Sequence, residues 1–187
     1  MPVFLRGIRR PGGDAVEVLH ELDVDAPPAP SGLFDAYAYL RDEKANNVAG
    51  GSATGASWNT RVLNTEVFDP DNIVSLASNQ FTLEPGTYLI EASAPALFSG
   101  KSRLRLRNIT AGATAGLGPA TYSDTGAITS SLYASLRCRV TVAVATTFEL
   151  QHYVANGPGF GVDLGTPTNS GETEVYAEVL IYREPAS

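Results

Sequence analysis

The sequence predicts an all-β protein, a sandwich or barrel of antiparallel strands, and three observations carry that prediction. Short runs of β-prone residues alternate apolar and polar and recur at roughly ten-residue spacing. Clusters of Gly, Pro, Asn and Asp separate them, and no run shows the period of an amphipathic helix. Finally, 187 residues with 43% hydrophobic and 18% charged side chains can bury one sizeable core.

The clearest stretch is residues 79–94. Phe81 and Leu83 share one parity, Pro85-Gly86 is a turn signal, and Tyr88, Ile90, Ala92 and Ala94 then face one way while Leu89, Glu91 and Ser93 face the other. Pro pre-sets φ and Gly accepts φ > 0, so a type II reversal joining two strands of a hairpin is expected here. Upstream, a strand is expected from Phe34 to Arg41, a flexible Asn, Ala, Gly and Ser loop over 42–57, a short strand from Trp58 to Leu63, a turn over 69–72 and a strand from Ile73 to Leu76. Downstream, Leu104 and Leu106 point inward, whereas Arg103, Arg105 and Arg107 form an outward stripe. That stripe reads as a solvated face or a partner for acidic residues of a neighbouring subunit, with a receptor or anion patch as the alternative. After a loop over 110–130, Leu132, Ala134, Leu136, Cys138, Val140, Val142 and Val144 keep one parity in a long core-facing strand, with Cys138 a small apolar filler. Phe148, Leu150, His152 and Val154 continue inward on the next strand, so His152 is expected as a buried, hydrogen-bonded imidazole.

A loop over 156–171 leads to the last strand, residues 172–184. Val175, Ala177, Val179 and Ile181 make one apolar face, yet Tyr176, Leu180 and Tyr182 make the opposite face apolar too. A strand apolar on both sides is covered on both sides, and one chain supplies one core. Tyr176, Leu180 and Tyr182 are therefore expected at an interface with another copy of the chain.

Residues 1–32 differ in composition and close on a Pro-rich spacer, 26–32. They are either a frayed end or extra strand, or a docking arm whose apolar residues Phe4, Ile8, Val16 and Val18 fix the body, 33–187, to a larger assembly. Their charges follow a very short apolar run, so no signal peptide is expected, and no run approaches the ~18 apolar residues of a membrane span. A net charge of −7 opposes nucleic acid, which draws affinity from clustered cations. Cys138 stands alone, and the only histidines are His20 and His152, so no catalytic constellation, metal centre or cofactor site is expected. Asp69-Pro-Asp71-Asn72 has oxygen ligands for calcium but reads more plainly as a turn closed by side-chain hydrogen bonds. No enzyme activity is expected.

From Phe34 to Glu184 the chain resembles the jelly-roll heads of the complement C1q and tumour necrosis factor superfamily. The resemblance is carried by Phe34-Asp-Ala-Tyr-Ala-Tyr39, by Phe81-Thr-Leu-Glu-Pro-Gly-Thr-Tyr88 and by the closing run 171–183, in the family's order. The run 73–88, with 147–153 and Gly159-Phe160-Gly161, is similar to heads in virion proteins of tailed bacteriophages. The resemblance implies an antiparallel jelly roll of about ten strands assembled as a homotrimer. It further implies display on the exterior of a virus particle as a fibre or appendage head. On that reading residues 1–32 dock to other virion proteins, and loop residues Tyr122, Phe160 and Asp163 contact a host-surface glycan or protein. A capsid or neck decoration protein without receptor role, and a stand-alone carbohydrate-binding module, are the alternatives.

Overall fold

Period-two alternation dictates strands with one face turned inward, and the chain supplies enough of them to close two sheets on each other. The computed structural model describes residues 32–123, 131–157 and 161–186. Among these the elements are all strands: β1 Ala36–Lys44, β2 Ser57–Thr60, β3 Thr65–Phe68, β4 Val74–Ala77, β5 Gln80–Leu83, β6 Gly86–Leu97, β7 Lys101–Asn108, β8 Ala113–Leu117, β9 Thr121–Tyr122, β10 Ser131–Val142, β11 Thr146–Val154 and β12 Glu174–Arg183. The first sheet runs β10-β6-β12-β1-β3; the second runs β4-β5-β11-β7-β8, with β2 also on β11 and β9 also on β7. Every pairing is antiparallel.

The expected inward parities meet between the sheets. Leu40 of β1, Ile90 of β6 and Ile181 of β12 face Leu104 of β7 and Leu150 of β11, all fully buried. Phe81 and Phe148, opposite each other in register, stack at 5.8 Å. Close packing of this kind is the main favourable term in folding such a sandwich. The alternation over-reaches at its ends, since Leu132 at the start of β10 and Val144 beyond its end are exposed.

The expected hairpin at Pro85-Gly86 is not one. β5 pairs with β4 and β11 in the second sheet, while β6 pairs with β10 and β12 in the first, so this corner carries the chain between sheets. Gly86 takes no positive φ. A Cβ there would instead come 3.2 Å from the Tyr88 ring, whose hydroxyl donates to the Glu84 carbonyl at 2.9 Å. The tight hairpin is β4–β5, turned by Ser78 and Asn79 with φ of 53° and 63°. Positive φ at both central residues is the turn whose twist matches the flanking strands. Asp69 closes its own turn as expected, its carboxylate accepting from the Ile73 and Val74 amides at 2.9 and 3.0 Å. The 110–130 stretch is not all loop either, because β8 and β9 both pair with β7.

One end of the core is polar. Arg61 is fully buried, its guanidinium donating to the carbonyls of Leu164 at 2.8 Å and Pro95 at 3.3 Å. Burial pulls its pKa down to about 10 against the opposing charge of Asp42. Asp42 is also buried, 3.1 Å from the Lys44 ammonium, and desolvation raises its pKa despite that partner. His152 is fully buried, but neither ring nitrogen has a hydrogen-bond partner among the described residues, contrary to the expected bonded imidazole. Burial first, and then the Arg61 charge, hold its pKa down to about 3. Cys138 lies partly buried against the core, and burial pushes its thiol up to about 11.

This arrangement sets a pH dependence. The unfolded chain takes up a proton on His152 near the ordinary value of about 6.5, whereas the folded chain resists until about pH 3. Stability therefore falls as pH drops from about 6.5 towards 3, with a cost near 2 kcal/mol by pH 5. Urea melts at pH 7.5 and 5 are expected to show this slope in the wild type and a shallower one in His152→Leu; equal slopes would sink the assignment.

Candidate interaction surface

The outer face of the first sheet is built by residues that alternate with the core set. Registers place them in transverse rows: Tyr39, Leu180, Glu91 and Arg137 in one, Tyr37, Tyr182 and Leu89 in the next, Arg41, Glu178, Ser93 and Ser135 on the other side. Directly opposed side chains on one face are neighbours, so each row is a line of contact. At the β3 edge the face is aromatic. Tyr37 stacks on Phe68 at 4.5 Å, Phe34 lies 5.0 Å from Tyr182, and Tyr37 and Phe68 are 43% and 40% exposed. Across the middle it is polar but internally neutralised. Glu91 and Arg137 pair at 2.7 Å, and the Tyr39 hydroxyl donates to Glu178 while accepting from Arg41 Nε at 2.7 Å. Burial and the Glu178 hydrogen bond raise the Tyr39 pKa, so the phenol stays neutral.

A groove of ≈ 760 Å³ lies on this face, lined by the Tyr39–Leu180–Glu91–Arg137 row with Glu178 and Ser135 and walled by Leu117, Gly118 and Pro119. That wall was not legible in the sequence, because it comes from the end of β8 and the connection after it, in the other sheet. Gly118 approaches so closely that a Cβ there would stand 1.9 Å from the Ser135 carbonyl, and its amide donates to Leu104 at 2.9 Å. The connection thus covers the edge of β10 beside the groove.

The predicted interface residues separate. Leu180 and Tyr182 are half-buried on this outer face, the side their parity assigns them. Tyr176 shares their parity but is 4% exposed, because Val48 and Gly165 of the same chain lie against it. Its hydroxyl donates to the Val48 carbonyl at 2.8 Å, and burial pushes its pKa up to about 12. Its ring lies where a Gly165 Cβ would be, 2.0 Å away. Tyr176 is therefore internal and not part of the exposed face. Asp163, expected in a recognition loop, is also internal at 1% exposed. Its carboxylate accepts from the Ala53 amide at 3.0 Å and its carbonyl from the Leu97 amide at 2.8 Å, so it ties two loops to the end of β6. Tyr122 is exposed at the end of β9, on the second sheet. Phe160, Phe4, Ile8, Val16 and Val18 lie outside the described residues.

No family model matches the chain, and no curated protein matches it. Among solved structures, the globular domain of a zebrafish complement 1qA protein matches with a TM-score of 0.52 at 16% identity, over 81% of this chain and 98% of that one. The fold is a C1q-like jelly roll. Murine APRIL aligns over 79% of this chain and 98% of its own with a TM-score of 0.46 at 7% identity. In this C1q-like jelly roll, Asp163 ties the segment around Ala53 to the end of β6, and Tyr176 ties the one around Val48 to β12.

Replacing Gly165 by Ala tests the Tyr176 seat. Its φ of 150° and the ring against it predict a loss of about 2–3 kcal/mol in urea unfolding. Gly171→Ala, with φ of 91° and open space around it, is expected to cost only about 1–2 kcal/mol of backbone strain. Equal losses at the two positions would mean that the Tyr176 contact contributes nothing.

Proposed function

We propose that this chain is a non-catalytic structural protein of a bacteriophage particle, a head that assembles as a homotrimer and is displayed on the exterior of the virion. The observation that carries the reading is the first sheet's outer face. A central strand there presents Leu180 and Tyr182 outward, beside Tyr37, Phe68 and Phe34, in a chain that already buries its other face in its own core. Apolar patches of this kind on a folded head favour a protein partner, and a second copy is the partner every copy meets. The internally paired charges around the groove suit such a contact, because they enter an interface already neutralised. The phage assignment draws its support from the likeness of 73–88 and 147–153 to virion heads, with residues 1–32 as the docking arm.

Size-exclusion chromatography with light scattering is expected to give three times 19.7 kDa for the full chain. A clean monomer would remove the trimer reading and favour a lone binding module. Leu180→Glu places a charge in the middle of the face and is expected to yield single chains or to prevent folding; a stable trimeric variant would refute its place in the interface. Particles assembled with a chain lacking residues 1–32 are expected to lack the head by immunoblot, whereas normal incorporation would show that the arm is not the dock.

A further inference from the structure

The second sheet's outer face carries the opposite electrostatic character. Along β7, Lys101, Arg103, Arg105 and Arg107 all point outward, alternating with the buried Leu104 and Leu106. Among the described residues none of the four has a carboxylate within 4.0 Å, whereas Arg41, Arg137, Arg139 and Arg183 on the first sheet all do. A cationic row with no direct ion pair among the described residues, in a chain of net charge −7, is not explained by solubility.

The row is also built. Trp58 of β2, Tyr153 of β11 and Arg103 stand opposite one another across three strands, as do Thr60, Gln151 and Arg105. The Arg105 guanidinium lies 4.1 Å above the Trp58 ring, and its Nε donates to Gln151 Oε1 at 2.7 Å. Stacking fixes the plane and the Nε bond fixes the rotation, leaving the two terminal nitrogens as a held fork. Such a fork matches a carboxylate or a phosphate and loses little freedom on binding. The acid of this face, Glu149, does not fill that role. Its oxygens accept from Thr60 Oγ1 at 2.6 Å, from Gln80 Nε2 at 3.0 Å and from Gln151. Burial raises its pKa, but those hydrogen bonds and the Arg105 charge outweigh it, so the carboxylate stays ionised and occupied. Aromatic rings interleave with the cations, Trp58 and Tyr153 edge to face at 5.5 Å and Tyr122, 63% exposed, opposite Lys101.

We propose that the outer face of the second sheet binds an anionic saccharide, with the Arg105 fork holding the acid group and Tyr153 and Tyr122 offering apolar ring faces to the sugar. The chemistry selects this class. Flat rings beside a planar fork suit a ring-shaped ligand bearing a carboxylate or phosphate, and β7, which carries the cations, is already paired on both sides and offers no edge of its own to a peptide strand. A nucleic acid, with its dense charge, meets the net repulsion of the acidic chain. The face is opposite the one proposed for self-association, and a native mass of one chain would leave it intact.

The test is calorimetric titration of the full chain with oligogalacturonate, with neutral galactan oligomer, oligoglutamate and oligothymidylate as parallel probes, at low and physiological salt. Oligogalacturonate is expected to bind and the neutral oligomer not to. Arg105→Gln is expected to weaken binding about tenfold or more, and Arg105→Lys nearly as much, because charge is kept but the fork is lost. Tyr153→Ala is expected to weaken it as well, while Arg139→Gln, which removes the same charge from the other sheet, leaves it unchanged; thermal melts establish that each variant is folded. Lack of binding by the wild type, wild-type affinity in folded Arg105→Gln, or equal affinity for the neutral oligomer, oligoglutamate or oligothymidylate would each overturn the proposal.

Discussion

The sandwich depends on the corner at residues 84–88, where the chain leaves one sheet and enters the other. A two-layer β structure is held by burial between layers, and burial requires that successive strands be delivered to opposite layers at the right spacing. Here the Tyr88 ring fills the space above Gly86 and its hydroxyl closes back on the Glu84 carbonyl. The corner is therefore packed and hydrogen-bonded from within. β5 and β6 each then find partners far away in sequence, and the inward parity of both is preserved through the bend.

Parity was the part of this fold that could be read directly from the residues. Leu104 and Leu106, Phe148 and Leu150, and Ile90 and Ile181 all lie where alternation puts them, because side-chain direction in a strand is a local property. Partnership is not local, which is why Pro85-Gly86 looks like a hairpin in sequence and is a crossing in space. The same reason separates Tyr176 from Leu180 and Tyr182. Parity puts all three on one face, but only the distant Val48 carbonyl and Gly165 backbone decide that the first is covered. Asp163 likewise looks like a loop residue until its bonds to Ala53 and Leu97 are known. The arginine stripe was visible as a pattern, yet the Trp58 stack on Arg105 and its Gln151 bond emerge only when β2 and β11 lie beside β7.

The two outer faces divide the molecule's surface chemistry. One is aromatic at its edge and charge-paired at its centre; the other carries cations held in fixed poses by neutral amides and indole. Both use the same device, in which one side of each strand is surrendered to the core and the other is free to be shaped by cross-strand neighbours. The segments around Ala53 and Leu164 are anchored by the buried polar groups Asp163 and Arg61.

The position of β12 between β6 and β1 has a consequence for how the protein is made. Its partners emerge from the ribosome long before it does: Tyr39 pairs with Leu180 and Ile90 with Ile181. Until that segment arrives, β1 and β6 flank an open slot with unsatisfied amides and an exposed apolar floor, and the head cannot close. Such non-local pairing makes folding slow and leaves the nascent chain dependent on being kept from other chains until β12 has been made. The same slot makes the last strand a natural handle, since a peptide of its sequence would compete with it during synthesis and trap the chain half-closed.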